Sequence, residues 1–144
     1  SPLHWAASSD DVEALDALLD NGADIEVPGA VFTGGTPMSD AVVFANYRAA
    51  RRLLERGART TFWQAAALGV LDQVRREIAS IPKDEITKSF WHACRGAQRN
   101  TAELLLEHGA DIHWVGWDHL TPLAAAMKSG NAEFIAWLRG KESC

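Results

Sequence analysis

Leu18-Leu19-Asp20-Asn21-Gly22-Ala23-Asp24-Ile25 returns almost letter for letter as Leu105-Leu106-Glu107-His108-Gly109-Ala110-Asp111-Ile112, and in shortened form as Leu53-Leu54-Glu55-Arg56-Gly57-Ala58. A second recurring element, a Ser/Thr-Pro opening, stands at Ser1-Pro2-Leu3-His4, Thr36-Pro37-Met38 and Thr121-Pro122-Leu123. Small residues follow each opening, at Ala6-Ala7, Ala41 and Ala125-Ala126. A supersecondary unit repeated along the chain decides the architecture, because each copy must bury its apolar face on the next.

The parts of one unit have separate physical roles. The Ser/Thr hydroxyl caps a helix whose first residue is proline, with fixed φ and no amide donor to lose. Small side chains let two antiparallel helices approach closely. The Leu pair belongs to the second helix, and its glycine enters the left-handed region that ends a helix without steric cost. Helix pairs are expected near 2–9 and 12–20, 37–45 and 47–55, 61–69 and 71–79, 85–96 and 100–107, and 122–129 and 132–139.

This unit resembles the ankyrin repeat, and the resemblance covers nearly the whole chain. It implies an all-α solenoid of stacked antiparallel helix pairs carrying hairpin fingers, a single domain over 1–144 with repeats at about 1–35, 36–59, 60–87, 88–120 and 121–144. The starts at Ser1, Thr36, Thr60, Lys88 and Thr121 are 35, 24, 28 and 33 residues apart, against a family period of 33. Only Arg59 separates Ala58 from Thr60, and the third unit ends at Ile81-Pro82-Lys83-Asp84 without a Gly-Ala-Asp, so two fingers are missing. The first finger is longer, Glu26 to Gly35, and the last, His113 to His119, carries two tryptophans.

Composition narrows the function classes. With 47% apolar residues the chain is globular, and no apolar run approaches the ~18 residues of a membrane span. The formal charge of −5 disfavours nucleic acid as the partner. Two cysteines without metal-like spacing form no disulfide framework, which fits a reducing cytoplasm. The chain opens inside its first unit, which points to further residues upstream; nothing visible resembles a signal peptide.

The resemblance implies that hairpin tips and the exposed side of the first helices bind another protein, with the chain a monomer and no cofactor. The matching positions are Phe32, Thr33, Phe44, Leu68, Trp117, Asp118, Leu120 and Lys128. Phe32, Phe44, Leu68 and Trp117 are expected to form an apolar groove. Trp5, Trp63, Trp91 and Trp137 fall in helices and are expected to fill space between units, each indole N–H finding a partner nearby.

A second reading makes the chain a small-molecule binder or enzyme using a central cleft over Asp40, Gln64 and His92, polar groups between aromatic walls. No catalytic residues are assigned: His92 and Cys94 are two apart on a helix and diverge, and no nucleophile elbow, phosphate loop or dinucleotide fingerprint occurs. His113, Asp118 and His119 are too few for a structural zinc, so no metal is assigned, and His119 is expected at positive φ. Arg48, Arg51, Arg52, Arg56, Arg75 and Arg76 read as a solvated face with local partners such as Arg51 and Glu55.

Overall fold

The three Ser/Thr-Pro openings act as written. In the computed structural model, which describes residues 1–29 and 35–143, the hydroxyls of Ser1, Thr36 and Thr121 accept from the amides of His4, Ser39 and Ala124. They start α1 (Pro2–Ser8), α3 (Pro37–Val43) and α9 (Pro122–Ser129), each with proline in the first turn. Their pair partners are α2 (Val12–Asp20), α4 (Tyr47–Glu55) and α10 (Ala132–Glu142). Between lie α5 (Phe62–Leu68) with α6 (Leu71–Glu77), and α7 (Lys83–Arg95) with α8 (Arg99–Glu107). All ten fall within three residues of the expected spans at each end, and no strand occurs among the described residues.

The glycines of the repeated stretch close the second helices alike. Gly22, Gly57 and Gly109 sit at φ of 90°, 97° and 91°. Their amides donate to Leu19, Leu54 and Leu106, while the next amides, of Ala23, Ala58 and Ala110, donate to Leu18, Leu53 and Leu105. That double bond pattern satisfies carbonyls a helix end leaves open. A second positive-φ residue lies between the helices of each pair: Asp10, Ala45, Gly69, Ala97 and Gly130.

Two compact units emerge, 1–60 and 61–144. In the first, Leu3, Leu15, Met38, Val42 and Leu53 form the buried centre with alanines where helices touch. Asp10 accepts from the Ala49 amide and Asn46 donates to the Ala7 carbonyl, tying one pair to the next. In the second unit, Phe62, Val74, Phe90, Ala102, Leu105, Phe134 and Leu138 share one core. Here Thr101 donates to the Ala66 carbonyl and Asn100 to that of Gly69.

Two expectations need correction. Trp5 fills no space: it is 64% exposed on α1, whereas Trp91 is buried. α7 begins two residues early, because Pro82 already adopts a capping backbone and Asp84 and Glu85 favour the positive end of a helix. Three of the arginines also find acidic partners on neighbouring helices: Arg48 with Asp10, Arg52 with Asp16, and Arg56 with both Asp16 and Asp20. These pairs are exposed, and exposed pairs contribute little.

Candidate functional site

The last hairpin is built from its base upward. The Asp111 amide donates to the Thr87 hydroxyl on α7 at 3.0 Å, and the Asp111 carboxylate accepts from the His113 amide at 2.9 Å. At the tip Asp118 and His119 both have positive φ, 57° and 59°, and the Leu120 amide donates back to Trp117 at 3.1 Å. Two successive positive φ values across such a bond make a type I′ turn, the form whose twist suits a hairpin. His119 therefore takes the left-handed position expected of it. The consequence is display: Trp117 is 61% exposed, and Val115, two residues before it, is exposed as well.

The carbonyl of Leu120 closes this hairpin twice over. It accepts from the Gly116 amide at 2.8 Å and from the Trp91 indole N–H at 2.9 Å. Gly116 has no room for a side chain, since a Cβ there would lie 2.7 Å from Trp91 Nε1 and from Trp114. The first hairpin repeats the arrangement with other residues. The Gly35 carbonyl accepts from the Gly29 amide at 2.8 Å and from His4 Nε2 at 2.9 Å, and a Cβ on Gly29 would meet His4 Nε2 at 2.7 Å. Because a carbonyl only accepts, Nε2 carries the proton, and in the neutral ring Nδ1 accepts from the Ser1 hydroxyl at 2.7 Å.

The remaining expected partner residues divide. Asp118 and Lys128 are exposed, Leu120 is half-buried, and all three belong to the second unit with Trp117. Phe44, in the first unit, is 44% exposed at the end of α3. Leu68 does not join them: it is 2% exposed, a core side chain of α5. Phe32 and Thr33 lie outside the described residues. Val115 and Met127 are exposed apolar residues that the motif transfer missed. Their signal is an apolar side chain in a hairpin or a first helix's last turn.

Asp40, Gln64 and His92 stand at the same place in their helices as Trp5, but they are buried rather than laid out on an open floor. Gln64 serves the backbone, its Oε1 accepting from the Thr61 amide at 3.0 Å in a capping box. His92 packs between Trp63, with ring centroids 4.7 Å apart, and Trp91, at 5.1 Å and edge-on. Burial lowers its pKa from 6.5 to about 4, so the ring is neutral near pH 7. Asp40 belongs to the first unit, Gln64 and His92 to the second. An open cleft of about 540 Å³ in the second unit is lined by other residues: Lys83, Asp84, Thr87, Lys88, Gly109, Asp111 and Trp114.

Comparison with known proteins agrees with this architecture. Residues 1–27 match the family model described as Ankyrin repeat. The chain is 28% identical over 138 residues to "Ankyrin repeat, SAM and basic leucine zipper domain-containing protein 1" of Ornithorhynchus anatinus, covering 96% of this chain and 26% of that protein. An ankyrin repeat and KH domain-containing protein of Caenorhabditis briggsae is 25% identical over 140 residues, covering 97% of this chain and 5% of that one. The chain thus spans about a quarter and a twentieth of the curated relatives it matches. The crystal structure of the human ASB11 ankyrin repeat domain superposes with a TM-score of 0.51 at 21% identity, over 98% of this chain and 69% of that one. The described residues are all-helical, the architecture is that of an ankyrin-repeat domain, and residues 1–27 match the ankyrin-repeat model itself.

Proposed function

We propose that this chain is a non-enzymatic recognition module that binds another protein, with the last hairpin as its principal contact. The observation that carries this reading is Trp117, a large aromatic 61% exposed on a tight turn whose backbone is fixed by hydrogen bonds. Aromatic anchors dominate interface energetics, and a tip held in one conformation loses little freedom on binding. Ankyrin repeats generally serve protein interaction, which supports the same reading. Asp118, Leu120 and Lys128 complete the proposed surface of the second unit, and Phe44 is proposed as a separate contact of the first. The five-repeat division proposed with it is supported by the positive-φ residues Asp10, Ala45, Gly69, Ala97 and Gly130, each nine places after its repeat's start.

A monomer in a reducing cytoplasm is part of the proposal. Its support is Cys94, a free thiol fully buried in the second core, where burial, and then the charge of Glu142, raise its pKa. No helix among the described residues is long and apolar enough to cross a membrane.

Trp117→Ala tests the reading. Loss of an anchor should weaken capture of the partner from native cell extract by roughly 30-fold, the equivalent of about 2 kcal/mol, with the helical circular dichroism signal unchanged. Equal capture by the variant would overturn it. Loss of a bound small molecule from Asp40→Asn or His92→Ala would put the small-molecule reading in its place.

A further inference from the structure

The two described hairpin closures differ in one chemical respect. In the first unit the ring donor is an imidazole, His4, oriented by the Ser1 hydroxyl. In the second it is an indole, Trp91, at the corresponding position of α7, three residues after Lys88 as His4 is three after Ser1. Both rings attach to the backbone through a five-membered ring whose ε nitrogen is two bonds from Cγ. The N–H therefore reaches equally far, and both meet their carbonyl at 2.9 Å. Indole adds a six-membered ring and removes the acid–base chemistry: its N–H only donates and needs no oriented tautomer. Lys88 offers no hydroxyl in the place of Ser1, so a histidine there would lack the group that orients His4.

We infer that Trp91 is the positioning residue of the recognition hairpin, its buried indole N–H fixing the Leu120 carbonyl and through it the turn that displays Trp117. The donor side of this bond is covered, since Trp91 is buried, while Leu120 is half-buried. Without the indole donor the Leu120 carbonyl keeps only its bond from the Gly116 amide, and the hairpin loses its tie to α7 at that point. Gly116 makes the same point sterically, since its missing side chain is the space the indole edge occupies. This inference rests on the hairpin being the contact surface, but the tether itself is measurable without any partner.

Amide hydrogen exchange on the whole chain is the measurement, with α10 amides as the internal reference. Trp91→Phe keeps an aromatic ring and removes the N–H. Exchange at Gly116 and Leu120 should quicken about tenfold while α10 stays as protected as before, the effect of losing one hydrogen bond. Trp91→His made together with Lys88→Ser, which returns a ring N–H at the same reach and the hydroxyl that orients it, should recover much of that protection. The tether is refuted if Gly116 exchange is unchanged in Trp91→Phe, or if hairpin and α10 lose protection together, or if that variant does not fold; the last two outcomes make Trp91 a packing residue only. It is equally refuted if that double variant protects no better than Trp91→Phe. Because none of these outcomes involves a partner, they are separate from the capture result with Trp117→Ala.

Discussion

At the scale of single residues, three glycines of the second unit should respond to a side chain with three different outcomes. Gly96 has an ordinary φ, yet a Cβ there would lie 2.3 Å from the Ala67 carbonyl oxygen, backbone that cannot step aside. Gly96→Ala should destabilise by the upper end of the ~1–3 kcal/mol typical of overpacking, or more. Gly109 has open space, its nearest heavy atom being Lys83 Cε at 3.6 Å, but φ is 91°. Gly109→Val should cost more than the ~1 kcal/mol separating glycine from alanine in a helix, purely through the backbone. A Cβ added to Gly140, inside α10, would meet nothing within 4 Å, so Gly140→Ala should raise stability by up to about 1 kcal/mol. Thermal unfolding of the three variants checks the order; a Gly96→Ala protein melting with the parent would mean α5 and α7 can separate freely. Only Gly109 announces its role in the chain's own text, through the Leu-Leu-x-x-Gly-Ala repetition. What constrains Gly96 is a carbonyl almost thirty residues away.

At the scale of elements, α7 holds the most unusual balance of forces. It carries Phe90 and Cys94 into the core, ends against α5 at Gly96, supplies Trp91 to the hairpin and buries His92 between two indoles. His92 links this helix to pH. Its folded pKa of about 4 lies below the ordinary 6.5, so the unfolded chain binds this proton first. Stability from this residue is therefore complete above pH 6.5 and falls as pH drops through the window to about 4, by ~3 kcal/mol in all. Urea midpoints taken at steps across that window should show the decline, and His92→Phe, which cannot titrate, should flatten that part. A slope unchanged in His92→Phe would assign it to carboxylates instead. Helix positions were legible because caps and glycines are local chemistry: Thr121-Pro122 and Gly109 speak for themselves. The destination of a side chain was less so. Trp5, Asp40, Gln64 and His92 occupy one helix position, yet the first is exposed and the others are buried, a difference set by what each neighbouring helix covers. Leu68 was misplaced for the same reason.

At the scale of the molecule, the residues that repeat and the residues that cohere are not the same set. Five short units recur in sequence, but contacts gather into 1–60 and 61–144. The second has a continuous core running from Phe62 to Leu138. A fragment of residues 61–144 should accordingly fold on its own, with helical circular dichroism and a single cooperative thermal transition. A fragment without such a transition would show that this core requires the first unit. In the first unit, Arg48, Arg52 and Arg56 face Asp10, Asp16 and Asp20 across neighbouring helices, so three of the six arginines of the apparent basic strip have acidic partners within the molecule.

The closure shared by the two hairpins asks little of what it encloses. A glycine amide and a ring N–H converge on one carbonyl, from Gly29 and His4 in the first unit and from Gly116 and Trp91 in the second. Between glycine and carbonyl lie residues 30–34 in one case and only 117–119 in the other. The clasp thus works as a socket, and the loop plugged into it can change length and lettering while the helices below remain as they are. Natural sequence drift at the tip, and deliberate grafting of a foreign peptide between Gly116 and Leu120, are two uses of the same mechanical freedom.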